Sequence, residues 1–260
     1  MAGVPLDDRG LLLGDGLFET LLWRRGELVL AQAHAARLAA GAAVLGLPAP
    51  DPGAFTDTAL EAVRRAGLGE TRAAVRVTLT AGSGGRGLDR PAALQPRLLA
   101  TAAPSVRPAS PARLAIAATR RNQASSASRL KTLSYLDNVL ARREAVAAGA
   151  EEAVMLNTDG HLACAAAANI FWIRDGALFA PAPEAGVLDG IMARQVRAAA
   201  AGLGLDVRSV LAAAAVLESA EAIFLTNSLI GLRPAYLGPG PPPAAHPVVG
   251  RLAMEVAAFC

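Results

Sequence analysis

Residues 103–112 read APSVRPASPA, three prolines and two serines between two apolar runs. Proline fixes φ and removes a backbone donor, so neither a helix nor a central strand continues through such a stretch. The chain has to close one body before it and open another after it. The reading that follows is a smaller N-terminal domain at 1–104, a linker at 105–112 and a larger C-terminal domain at 113–260. At 260 residues the chain is long enough to bury its cores without covalent staples.

Both bodies mix helical and strand periods. In the first, 27–33 (ELVLAQA) predicts a short strand, 34–47 a helix stopped by Pro48, and Asp51-Pro52 a second helix running to Gly67; 73–81 and 97–102 predict strands. In the second, 113–118 predicts a strand, 119–130 a polar segment and 133–148 a helix closed at Gly149. Asp159-Gly160 and Asp175-Gly176 suit tight type I′ turns and predict two hairpins of one sheet. Then come a helix opened by Gly190, a strand at 206–209, a helix at 210–219, a strand at 221–227 and a helix at 247–259. The class is α+β.

Composition removes several functions. Cys164 and Cys260 make neither a disulfide framework nor a metal spacing, and the N-terminal MAGVPLDDRG lacks the basic and apolar runs of a signal peptide, which predicts a reducing cytoplasm. Alanine supplies much of the 53% hydrophobic share, and no run reaches the roughly 20 apolar residues of a spanning helix. A net charge of +3 comes from arginines spread along the chain without interleaved aromatics, so neither nucleic acid nor membrane is expected as a partner. His34, His161 and His246 are scattered, no GxSxG elbow is present, and no metal site is expected. His34 and Arg37 lie three apart on one helical face, so they either act together or solvate that face, and the spacing alone favours the solvated face.

One count points to chemistry. Of 25 basic residues 24 are arginine, which leaves a single lysine, Lys131. Arginine replaces lysine wherever a positive charge suffices, but its guanidinium stays protonated and cannot act as an amine nucleophile. Lys131 is therefore either a stray surface residue or the nucleophile of a Schiff-base reaction. The run Gly82-Ser83-Gly84-Gly85-Arg86-Gly87 formally matches a dinucleotide fingerprint, yet Pro91 and Pro96 forbid the helix that must follow. It reads as a plain hairpin loop or as a loop that presents Arg86 to a substrate carboxylate.

Taken in order, a lysine followed by TLSYLDNVLARREA, an AANIFW strand, a GIM helix opening with Arg194 close behind and a TNSLIGLRP strand end resemble the fold-type IV pyridoxal-phosphate enzymes, the class IV aminotransferases. The resemblance runs from GDGLFETL at 14–21 to LRPA at 232–235. Within that family the likeness is nearest to the 4-amino-4-deoxychorismate lyases, while D-amino acid and branched-chain aminotransferases share the wider pattern. It implies a small N-terminal α+β domain, a larger C-terminal pseudo-barrel domain, a homodimer, a small amino-acid-like substrate and pyridoxal 5′-phosphate as cofactor. By position it makes Lys131 the Schiff-base lysine and proton shuttle. It makes Arg37, Ile191, Met192, Thr226 and Asn227 the phosphate cradle, and brings Tyr135 toward the cofactor's phenolic oxygen.

The resemblance also exposes a departure. Five residues before the asparagine of the NIF strand the family places a glutamate that pairs with the pyridine nitrogen; here the position is Cys164. A thiol supplies no charge to keep that nitrogen protonated, so the ring is a weaker electron sink. This burdens transamination more than elimination. The expected activity is conversion of 4-amino-4-deoxychorismate to 4-aminobenzoate and pyruvate. The alternatives are an aminotransferase of D- or branched-chain amino acids, or a cofactor-binding protein with little turnover.

Overall fold

The computed structural model of the protein describes residues 3–260. They form two compact units, one running to Val106 and including Leu130–Ser134, the other comprising Arg107–Arg129 and Tyr135–Cys260. Five residues of the stretch that the sequence assigns to the second domain therefore group with the first.

The first unit is a four-stranded antiparallel sheet in the order β2-β1-β3-β4 with helices on one face. Its elements are α1 (Arg9–Leu13), β1 (Gly16–Arg24), β2 (Glu27–Leu28), α2 (Ala31–Val44), α3 (Pro52–Arg65), β3 (Ala73–Thr80) and β4 (Arg97–Pro104). Leu17, Leu21 and Trp23 of β1 join Leu38 of α2 and Phe55 and Ala59 of α3 in one core. The period of two along a strand puts Glu19 on that same face. α3 starts where Asp51 accepts from the N–H groups of Gly53 and Ala54, with proline in the first turn. The predicted strand at 27–33 shrinks to two residues, because Leu30 takes a left-handed conformation and α2 begins at Ala31.

The second unit contains β5 (Ala112–Ile116), α4 (Ser126–Arg129), α5 (Leu136–Ala147), β6 (Glu152–Leu156), β7 (Leu162–Ala165), β8 (Asn169–Arg174), β9 (Ala177–Pro181), α6 (Ile191–Gly202), β10 (Val207–Val210), β11 (Ala222–Asn227), β12 (Gly231–Leu237) and α7 (Pro247–Glu255). Its eight strands pair in the order β10-β9-β8-β11-β12-β5-β6-β7. Trp172, Phe179, Ile170, Leu114 and Leu225 fill one core, and Phe171 stacks on Phe224 with ring centroids 5.2 Å apart. Asp175 and Gly176 both have positive φ, as a type I′ turn requires. At Asp159-Gly160 only the glycine does, and the turn is closed instead by Gly160 N–H donating to Asn157 O at 3.1 Å. The helix expected at 210–219 is a single 3₁₀ turn, Ala214–Leu217. Ala212 and Ala213 are held extended beside Leu162 and His161, which leaves too little chain for a longer helix.

Candidate active site

In the first unit, Glu19 stands 1% exposed on the core face of β1 and meets two residues of α2. Arg37 donates to it from Nε at 2.7 Å and from Nη2 at 2.7 Å, while His34 Nδ1 lies 2.7 Å from Oε2. A carboxylate can only accept, so His34 places its proton on Nδ1. Burial alone would raise the Glu19 carboxyl, but the hydrogen bonds from Arg37 and His34 outweigh it and hold it below its usual range. Burial lowers the His34 value, against the pull of Glu19, so the ring is a neutral donor. The solvated-face reading of His34 and Arg37 is thus corrected: His34 is 1% exposed, and both residues turn inward onto a carboxylate that helix periodicity does not reveal.

Lys131 belongs to a segment added to β1. Phe18 N–H donates to Lys131 O at 2.9 Å and Leu133 N–H to Gly16 O at 3.0 Å, which fixes the backbone from the lysine carbonyl onward, on both sides of Thr132. Its Nζ lies 4.2 Å from the centroid of the Phe18 ring, a cation–π distance, and the Arg76 guanidinium lies 3.6 Å from the same centroid. Arg86 is exposed on the loop joining β3 to β4.

In the second unit, Thr226 of β11 pairs in register with Asn169 of β8. Asn169 donates from Nδ2 to Leu188 O at 2.9 Å, and a Cβ on Gly190 would come within 1.9 Å of Asn169 Oδ1. Only glycine fits there, and its closeness brings the first turn of α6, with Ile191 and Met192, beside the end of β11. Gly190 has no side chain to cap α6, so the helix start keeps uncommitted N–H donors. Asn227 commits its side chain to the following turn, accepting from the N–H groups of Leu229 and Ile230, each at 2.9 Å. Tyr135 is half-buried at the start of α5, its carbonyl accepting from Val139 N–H.

Cys164 on β7 is buried among Ala117, Ala141, Ala153 and Ala163. Burial pushes its thiol upward, the Arg121 charge draws it down and Glu152 pushes it up again, so the group stays a neutral thiol. Arg121 is itself 7% exposed and donates from Nε to Gly186 O at 2.7 Å and from Nη2 to Ser128 O. Sequence reasoning assigned no role to Glu19 in the first unit or to Asn169 and Arg121 in the second. The signal for Glu19 was present: the single charged residue in the run GLFETLLW.

The sequence pattern of amino-transferase class IV matches residues 16–236. The chain belongs to the amino-transferase class IV family. It is 29% identical over 241 residues to the aminodeoxychorismate lyase of Vibrio harveyi, covering 89% of this chain and 86% of that one. Its fold superimposes on the 4-amino-4-deoxychorismate lyase of Pseudomonas aeruginosa with a TM-score of 0.86 at 32% identity, over 99% of this chain and 96% of that one. The branched-chain aminotransferase of Thermoproteus uzoniensis, solved with norvaline, gives a TM-score of 0.90 at 25% identity, over 98% and 89%. Class IV enzymes, lyases and aminotransferases alike, depend on pyridoxal phosphate. The groups on the second unit fit a phosphate: Thr226 is 0% exposed and its hydroxyl has no hydrogen-bond partner, while the neighbouring α6 start offers backbone donors and the positive end of its dipole. Among the described residues no helix is long and apolar enough to cross a membrane, and no group of three His, Cys, Asp or Glu could hold a metal.

Proposed function

We propose that this class IV enzyme is a lyase that converts 4-amino-4-deoxychorismate to 4-aminobenzoate and pyruvate. Pyridoxal phosphate, when bound, supplies an electrophilic carbon that takes up the substrate amine and acidifies the adjacent C–H. Lys131 Nζ anchors the cofactor, then removes the proton from the carbon bearing the amino group. On the first unit, Arg37, its plane fixed by Glu19, would serve as the phosphate-binding arginine that the family resemblance assigns to it. On the second unit, the N–H groups of Ile191 and Met192, the Thr226 hydroxyl and the Asn227 backbone would donate to a phosphate, and the resemblance brings Tyr135 toward the phenolic oxygen. Arg86 receives a substrate carboxylate in its fork.

The observation that carries lyase over aminotransferase is the neutral, buried Cys164 beside the cationic Arg121. The resemblance puts Cys164 at the ring nitrogen, where a neutral thiol would supply no charge to keep that nitrogen protonated. Residues of this kind would favour a reaction whose electrons leave into a substrate that becomes aromatic over one that must hold them on the ring. The two lyase relatives support the same reading. The aminotransferase reading retains the support of the Thermoproteus fold. The two separate when 4-amino-4-deoxychorismate is offered without any 2-oxo acid: a lyase releases pyruvate over many turnovers, whereas an aminotransferase stops after its cofactor has taken the amino group.

A homodimer is part of the same proposal. Leu6, Leu11 and Leu12 near α1 are 85%, 60% and 63% exposed, and Leu136, Val139 and Val146 form an exposed apolar stripe along α5. A second copy would cover such surfaces, and light scattering at twice the 26.4 kDa chain mass tests it.

A further inference from the structure

The loop that presents Arg86 is gripped at both ends by residues near the start of the chain. At its incoming end, the fully buried Asp8 accepts from the Thr80 hydroxyl at 2.9 Å, and that hydroxyl accepts from Gly82 N–H at 3.2 Å. Arg9 N–H donates to Gly82 O at 2.9 Å, and Arg97 Nη2 donates to the Ser83 hydroxyl at 3.1 Å. At the outgoing end the Arg9 guanidinium takes three successive carbonyls: Nη2 to Leu88 O at 2.8 Å, Nη1 to Asp89 O at 3.0 Å and to Gly87 O at 3.5 Å. Asp15 ties this to the end of the loop, accepting from Arg9 Nε at 2.9 Å and from Arg90 through Nε at 2.9 Å and Nη2 at 2.5 Å. Arg90 Nη1 in turn donates to Leu45 O at 2.5 Å.

This arrangement is more than the loop's polar groups require. Gly87, Leu88 and Asp89 are exposed, so water could satisfy their carbonyls. Arg9, by contrast, is 4% exposed, and keeping a buried guanidinium costs desolvation that Asp15 offsets. A buried charge that reaches out to three carbonyls of an exposed loop fixes conformation. Gly85 is held so closely that a Cβ there would meet Asp89 O at 2.3 Å, which leaves the segment around Arg86 little room to shift.

We propose that Arg9, Asp15 and Arg90 form a clamp that fixes the backbone around Arg86 and thereby sets the direction from which this guanidinium meets a substrate carboxylate. They are positioning residues, and the proposal rests on the reading of Arg86 given above. The test uses protein reconstituted with pyridoxal phosphate and three variants: Arg86→Ala, Arg9→Lys, which keeps the charge and loses the fork, and the milder Asp15→Asn. With the clamp loosened, trypsin cleaves after Arg86 roughly ten- to a hundredfold faster, as expected for losing two or three hydrogen bonds from a local opening equilibrium. KM for the substrate that turns over rises about tenfold in Arg9→Lys and Asp15→Asn with little change in kcat. Arg9→Lys added to Arg86→Ala raises KM no further, because the clamp acts through Arg86. Unchanged cleavage after Arg86 in both clamp variants overturns the clamp, and additive KM effects overturn its action through Arg86. An unchanged KM in Arg86→Ala alone overturns the carboxylate reading, and with it the recognition role, whatever the cleavage rates show.

Discussion

Replacing Glu19 by glutamine removes one charge from the buried cluster while keeping its shape. Glu19 and His34 side chains are 1% exposed and Arg37 is 14% exposed, so water cannot compensate fully. Removing one partner of a buried ion pair costs about 3–5 kcal/mol. The amide still offers one acceptor to Arg37, and its NH₂ can donate to His34 Nδ1 once the ring proton moves to the other nitrogen. This places Glu19→Gln just below that range, at about 2–3 kcal/mol, the cost of a lost charge-assisted hydrogen bond. For a chain of this size the thermal midpoint falls by roughly 5–10 °C. The pH dependence carries a second signature. Because the folded value of Glu19 lies below the usual one, its stabilisation is present above about pH 4.5 and is lost as pH falls through the folded value. His34 acts in the same direction: below its ordinary value of 6.5 the unfolded chain takes up a proton that the folded ring refuses, so stability declines on acidification from there. Glu19→Gln removes the first contribution and weakens the pull toward imidazolium, which extends the His34 decline to lower pH. Thermal melts from about pH 2 to pH 8 read both effects. A midpoint within about 1 °C of the parent and parallel pH curves would refute the reasoning.

The Cys164 position is tested by Cys164→Glu, which restores a carboxylate beside Arg121. It should speed amino transfer to a 2-oxo acid about tenfold or more, at roughly 1.4 kcal/mol per factor of ten, and an unchanged single-turnover rate would show that the position does not face the ring nitrogen. Gly190→Ala places a Cβ against Asn169 and forces the start of α6 away from β11. Cofactor affinity, followed by absorbance titration, should weaken by about tenfold. Both thiols, Cys164 and Cys260, are buried, so a thiol reagent should label them only as fast as the protein opens, and rapid labelling of folded protein would contradict the packing around Cys164.

Much of the frame was legible locally. Asp175-Gly176 names its own turn, the Asp51-Pro52 cap and Gly190 mark their helix starts, and the lone lysine stands out by count. The missing parts depend on partners far apart in sequence. Asp15 and Arg90 are 75 residues apart and Arg9 reaches Leu88 across 79, so no periodicity joins them. Glu19 and Arg37 meet only because β1 and α2 pack face to face, which the two separate periods do not specify. The helix expected at 210–219 failed for the same reason, since its alanines favour a helix locally but lie beside His161 and Leu162 in the fold. Cys164 was visible as a departure, while the Arg121 beside it became meaningful only once both were seen buried.

The account turns on Lys131 as the amine that carries the cofactor. Protein reconstituted with pyridoxal phosphate, reduced with borohydride and digested, should yield one stoichiometric pyridoxyl-phosphate label, on the peptide containing Lys131. Lys131→Ala should yield none and should lose turnover. A label confined to the N-terminal amine, or a Lys131→Ala protein that still turns over, would contradict it.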